Sequence, residues 1–431
     1  MNDIDHLLIN EFHIRPEILE RIEEKEKALE SSFLAIEQTC SYNQLKVLHS
    51  FQENMLSQSD FFSATGYGYG DTGRGKAEAI FRDVFKAEDC LVRPSIASGT
   101  HALAIVLFAL LEKGDTLLEA TDHPYDTLQK VIGIRGEEKG NLIEKGIQYE
   151  VLPLKKDHSI DYDRLKKAFE KPVKMVELQR STGYTDRRAF TIEEMKKAID
   201  IIKIASPQTI IMVDNCYGEF TETIEPLEIG ADIMAGSLIK NPGGGIALSG
   251  GYIAGKKNLI ERCINHITAP GLGRNTGLTF DTTRLTLQGF FLAPHITKEA
   301  RKAALLFASV FEEEGFECIP SLADPRSDIV QAIKFEDPDL LIAFCRAVQK
   351  AASVGSEVVP YPWDMPGYSH QVIMASGGFI DGSSIEVSAD GPIRPPYIAY
   401  YQGGIVYEQA KLACMLALQD VRKEKEIRKE K

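Results

Sequence analysis

Between residues 90 and 214 short apolar runs recur at 90–93, 116–120, 147–154, 173–178 and 209–214. Helical patterns lie between them, one from 100 to 111 and one from the Thr191/Glu194 capping box towards Ala205. Strands separated by helices at this spacing predict an α/β fold, a mostly parallel sheet with helices on both faces. No other feature of the sequence restricts the topology as strongly.

At 431 residues the chain exceeds one typical core. We expect an N-terminal helical arm over 1–57, a large domain over 58–290 and a smaller C-terminal α/β domain over 291–431. Pro16 opens the arm, where its missing N–H costs nothing, and Ile18, Leu19, Ile22 and Leu29 form its apolar stripe. In the small domain we expect a helix over 297–314, strands near 329–335 and a helix over 340–352. Pro/Gly-rich loops follow at 360–367 and 390–396, and 421–431 is a charged, solvated helix end.

The hydrophobic fraction of 44% and charged fraction of 26% exclude a disordered, collagen-like or coiled-coil chain. With 49 basic and 63 acidic residues, the net charge of -14 repels nucleic acids and anionic membranes. The N-terminus lacks the basic and apolar regions of a secretory signal, and no apolar segment approaches the roughly 18 residues of a spanning helix. A cytoplasmic location is expected. The seven cysteines are scattered, odd in number and outside any zinc spacing, so buried, reduced thiols and no metal site are expected.

The chemistry concentrates in Ile211-Met-Val-Asp214-Asn215 and Ala235-Gly-Ser237-Leu-Ile-Lys240-Asn-Pro-Gly243-Gly-Gly. A buried strand ending in a carboxylate sets Asp214 at the carboxyl edge of a parallel sheet, where ligands of open α/β folds bind. A lysine followed by glycines can approach a planar cofactor and form an imine with its aldehyde. Pyridoxal 5′-phosphate (PLP) is such a cofactor, and Asp214 is the anion its pyridine nitrogen requires. Ser98-Gly99-Thr100 precedes a helix whose N-terminal N–H groups suit a phosphate, and the Ser237 hydroxyl can add a contact. Singly, each feature has a plainer reading: a turn aspartate, a surface lysine, and N-capping by Ser98 or Thr100.

These segments occur in the order G-Y-G-Y-G-D-T-G-R, S-G-T-H-A, H-P-Y-D-T, V-D-N-C-Y-G-E-F and G-S-L-I-K-N-P-G-G-G. In this the chain resembles fold-type-I PLP enzymes, and within them the methionine gamma-lyase-like, aluminium-resistance group related to cystathionine and methionine lyases. The resemblance runs from about Gly66 to Arg394. It implies that Tyr125 stacks on the pyridine ring, that Asp214 pairs with the ring nitrogen and that Lys240 forms the imine. Ser98, Gly99, Thr100 and Ser237 then surround the phosphate, and Arg394 offers its planar fork to a substrate carboxylate. The better-known transsulfuration enzymes instead carry the aromatic residue in a Y-G-G-T setting and usually a threonine before the lysine.

The resemblance also implies a homodimer or homotetramer with shared sites, in which Tyr69 or Arg74 reaches a neighbouring subunit's phosphate. Tyr69 aligns with the aromatic that opens a related Y-S-R motif, and Asp71 stands where that motif has arginine. The function implied is a PLP-dependent lyase acting on an amino acid by β- or γ-elimination of a sulfur-bearing side chain. The same constellation serves aminotransferases and aldolases. A nucleotide-binding or regulatory protein using the glycines of 66–75 is the competing class, and it lacks a strand leading into those glycines.

Overall fold

The computed structural model describes residues 2–365, 368 and 370–429; part of the expected 360–367 loop and the last two residues of the tail lie outside them. The chain forms two compact units, Ser41–Pro294, and Met1–Cys40 together with His295–Lys431. The expected arm is thus divided. After α1 (Asp3–Asn10), the long helix α2 (Pro16–Glu53) passes from one unit into the other.

Within Ser41–Pro294 the order is α3 (Thr72–Val84), β1 (Asp89–Arg93), α4 (Gly99–Leu110), β2 (Thr116–Glu119), α5 (Asp126–Ile132) and β3 (Gln148–Val151). It continues with α6 (Tyr162–Ala168), β4 (Met175–Gln179), α7 (Ile192–Ala205), β5 (Ile210–Asp214), β6 (Ile233–Ser237), β7 (Gly251–Gly255) and α8 (Lys257–Ile267). The seven strands lie in the order β1-β7-β6-β5-β4-β2-β3. All pairs are parallel except those of β7, which runs antiparallel to β1 and to β6.

Alternation along the strands feeds two cores. Val176, Leu178, Ile211 and Val213 pack with Met195, Ile199 and Ile202 of α7 on one face. Met175 and Met212 pack with Leu103 and Leu107 of α4 and Ile260 of α8 on the other. Each such side chain contributes about 1.5–3 kcal/mol by leaving water. With both faces covered, β4 and β5 are buried throughout.

Helix α9 (Thr283–Glu313) begins well before residue 297, because Gly289 and Pro294 interrupt its sequence pattern but not its backbone. Gly289 is required there: a Cβ would stand 2.1 Å from the Gly243 carbonyl oxygen. In the second unit, β8 (Glu317–Ile319), β9 (Val330–Lys334), α10 (Pro338–Lys350), β10 (Val372–Ser376), β11 (Ser388–Pro392), β12 (Ile398–Gln402) and α11 (Tyr407–Lys429) follow. Their strands make an antiparallel sheet in the order β10-β11-β12-β9-β8. The expected loop at 390–396 is strand up to Pro392. Asp-Gly-Pro reads as a turn, yet a Cβ on Gly391 would meet Leu341 of α10 at 2.6 Å.

Candidate active site

The carboxyl ends of β4, β5 and β6 bring Gln179, Asp214 and Ser237 to one edge of the sheet. Asp214 is only 4% exposed, and its Oδ1 accepts the Cys216 N–H at 3.0 Å. Burial lifts its carboxyl above the usual aspartate range, while Lys240 and that N–H hold the rise back.

Gly99 sets the N-terminus of α4 against the same edge. A Cβ on it would lie 3.1 Å from Cys216 Sγ and 3.4 Å from Ser237 Cβ, so only glycine allows this approach without displacement. The Ser98 hydroxyl caps α4 by accepting the His101 N–H at 3.1 Å. The Gly99 and Thr100 N–H groups lie in the first turn, outside the helical ladder. Ser237 Oγ accepts the Ile239 N–H at 3.3 Å and keeps its own proton to donate.

Tyr125 caps α5. Its N–H donates to Gln179 Oε1 at 3.0 Å and its hydroxyl to Thr100 Oγ1 at 2.9 Å. The Thr100 hydroxyl, also 3.1 Å from Thr127 Oγ1, therefore orients the tyrosine, leaving the backbone of Thr100 to face a ligand. Burial, then the nearby Asp214 charge, push the Tyr125 phenol well above its ordinary range.

Lys240 follows β6, half-buried, with Nζ 3.9 Å from the centre of the Tyr217 ring. Burial disfavours its charge, but Cys216, Tyr217, Asp214 and Tyr125 together outweigh burial and hold the amine well above the usual lysine range. The glycines after it have a different role from the one expected. A Cβ on Gly243 would stand 1.6 Å from the Leu238 carbonyl oxygen, and one on Gly244 2.5 Å from that of Gly289 in α9. They close the loop and let α9 brace it from behind.

The turn after Asp214 is held from its far side. Arg180, fully buried, donates to Asn215 Oδ1 at 2.9 Å, Thr221 Oγ1 at 3.2 Å and Glu222 Oε1 at 3.0 Å. Cys216, Tyr217 and Gln179 are site residues that sequence reasoning passed over. The first two stand two and three residues after Asp214 in V-D-N-C-Y, and that closeness was the available signal.

Tyr69 is 70% exposed and stacks on Tyr67 with ring centres 5.5 Å apart. Arg74 offers no free guanidinium: it is buried, and donates to the carbonyl oxygens of Gly277 and Asn275. Its contacts are with the 275–277 loop of its own unit. His101 accepts the Ala97 N–H at 3.0 Å and His123 lies 3.3 Å from the Tyr149 hydroxyl, both in exposed structural positions. Arg394, exposed, belongs to the unit containing β11 and α11. The cysteines are all free, and six of the seven are buried. No described helix is long and apolar enough to cross a membrane.

The glycine-rich segment 66–75 leads into α3 from a short helical turn, Gln58–Phe61, and not from a strand, which removes the structural basis for a dinucleotide loop. The family model for methionine gamma-lyase matches residues 18–422. The chain belongs to the methionine gamma-lyase family. A curated member from Bacillus subtilis (strain 168), YnbB, is 47% identical over 384 residues, covering 89% of this chain and 91% of YnbB. The solved structure of a carbon-sulfur lyase involved in aluminium resistance from Clostridium novyi NT is 44% identical with a TM-score of 0.93, covering 97% of this chain and 99% of that one. YhfS from Escherichia coli, a PLP-dependent protein, shares the fold at 16% identity and a TM-score of 0.61, covering 90% of this chain and 97% of YhfS. The methionine gamma-lyase family member described here therefore has the fold-type-I architecture of PLP enzymes.

Proposed function

We propose that this chain is a PLP-dependent carbon–sulfur lyase that eliminates a sulfur-bearing substituent from the β- or γ-carbon of an amino acid. The observation that carries this reading is the meeting of Lys240, Asp214 and the α4 N-terminus at one sheet edge. The residues fit the cofactor: an amine for its aldehyde, a buried carboxylate for its ring nitrogen, and a glycine-lined helix end for its phosphate. When bound, PLP supplies the electron sink for charge developing at the substrate α-carbon.

The protein's part is binding, orientation and proton transfer. The first-turn N–H groups of Gly99 and Thr100, with the Ser98 and Ser237 hydroxyls, would hold the phosphate. Asp214 would supply the charge for the ring nitrogen, and Tyr125, fixed through Thr100 and Gln179, would be the aromatic neighbour of the ring. Lys240 Nζ would be the amine for the aldehyde and, as the free neutral amine, the base for the substrate α-proton. Arg394 is the proposed carboxylate anchor, on the chemistry of its fork. A homodimer or homotetramer in which Tyr69 serves the neighbouring subunit's phosphate belongs to the same reading. The description of the Clostridium novyi relative as a carbon-sulfur lyase favours elimination over transamination.

Borohydride treatment of the purified protein, peptide mapping and a panel of sulfur amino acids test the reading. A pyridoxyl group on Lys240, with release of thiol, ammonia and a 2-oxo acid, is expected. A pyridoxyl group on another lysine, or no cofactor after reconstitution, removes it. Amino transfer to a 2-oxo acid without thiol release replaces the lyase by an aminotransferase.

A further inference from the structure

The turn after β5 contains a strained residue whose ring faces the lysine. Tyr217 has a φ of 70°, in the left-handed region that side chains with a Cβ seldom adopt. Its neighbours prevent relaxation: Asn241 Nδ2 donates to the Tyr217 carbonyl oxygen at 2.9 Å and to that of Glu219 at 3.0 Å. Asn241 adjoins Lys240, so one amide ties the turn to the lysine loop. The outcome is the Tyr217 ring centre 3.9 Å from Lys240 Nζ. Backbone strain persists only where the surroundings over-determine it, and it gathers where a side chain must be aimed.

Taking Lys240 as the cofactor anchor, we infer that Tyr217 is a positioning residue for Lys240, its strained backbone turning the ring against Nζ so that the amine is held in one orientation. The groups facing that amine are Cys216 and Tyr217 from the turn, Asp214 from β5 and Tyr125 from the cap of α5. Asp214 supplies a formal charge, and the Tyr217 ring supplies the negative face of its π-system together with a fixed direction.

Three substitutions separate positioning from folding. Tyr217→Phe keeps the ring. Tyr217→Ala and Tyr217→Gly both remove it, but only alanine keeps a Cβ in the left-handed conformation, so the glycine variant melts at the higher temperature. In apo protein, competitive acylation of Lys240 followed across pH by peptide mapping gives the midpoint of the amine without any cofactor. The midpoint is expected to fall by about half a pH unit or more in both the alanine and glycine variants and to stay in place in Tyr217→Phe. In holoenzyme, kcat falls about tenfold in both truncations with little change in KM, as expected for a misaligned proton carrier. A residue with only a structural role would make the loss follow melting temperature, with alanine the worse. Folded alanine and glycine variants with wild-type midpoint and kcat overturn the inference. If borohydride leaves wild-type Lys240 unmodified while the apo midpoint still shifts, the cofactor reading falls and the positioning of Lys240 by Tyr217 stands.

Discussion

Glu119 and Glu177 face each other across β2 and β4, paired in register and fully buried. Apart from each other, their support comes from Thr121, whose hydroxyl donates to Glu119 Oε1 at 2.8 Å and whose backbone also faces Glu119. Burial, then the charge of its neighbour, lift Glu119 well above the carboxylate range. Burial, then the charge of Asp214, push Glu177 up to about 8. The fold therefore holds protons that the unfolded chain releases above about 4.5. The stability linked to them is complete at low pH and is lost as pH rises towards the folded value, by at most about 1.4 kcal/mol per pH unit for each group. The double variant Glu119→Gln/Glu177→Gln should flatten this decline between about pH 5 and 8. Urea unfolding across that range decides; parallel curves for wild type and variant would refute the retained protons.

Gly99→Ala places a methyl group 3.1 Å from Cys216 Sγ. Displacing the start of α4 should weaken cofactor affinity about tenfold, or about 1.4 kcal/mol, while the fold persists. Adding Cys216→Ala removes the crowded atom and should recover part of the loss. Cofactor titration by absorbance measures both, and undiminished affinity in the single variant would show that the approach of α4 is not required.

Arg394→Lys keeps the charge and loses the planar fork. On the reading given above, kcat/KM should fall about 10- to 100-fold through poorer orientation of the substrate carboxylate. Unchanged kinetics with every accepted amino acid would move that role to another arginine.

Mixing Lys240→Ala with Tyr69→Ala subunits tests the shared site. Under random pairing, mixed dimers carry one complete site, so activity should approach about a quarter of wild type. If exchange is demonstrated and activity stays absent while Tyr69→Ala alone is impaired, the glycine-rich segment serves its own subunit.

Much of this was legible in the sequence wherever chemistry and periodicity coincided. Asp214 ends an apolar strand, Lys240 follows another, and Ser98 precedes an unbroken helical pattern, so their placement needed only local rules. Gly391 was read as part of a loop because a glycine in sequence does not show which neighbour approaches it; that neighbour, Leu341, is about fifty positions away along the chain. The carbonyl partners of Arg74 were hidden for the same reason, since they lie two hundred positions away. Tyr217 was legible only through its closeness to Asp214 in the sequence; its placement depends on a dihedral angle and on an amide contributed by Asn241.

The pairing of β1 with β7 bears on how the protein is made. Asp89–Arg93 emerges from the ribosome first among these strands, yet its one ladder partner among the described residues is Gly251–Gly255, the last. Until that stretch has been synthesised, β1 presents unsatisfied backbone groups along both sides, as an open edge able to recruit other strands. A translation product that stops short of Gly251 would contain Lys240 and Asp214 but carry that sticky edge. Nascent chains of this protein therefore need shelter from one another until most of the unit has been translated.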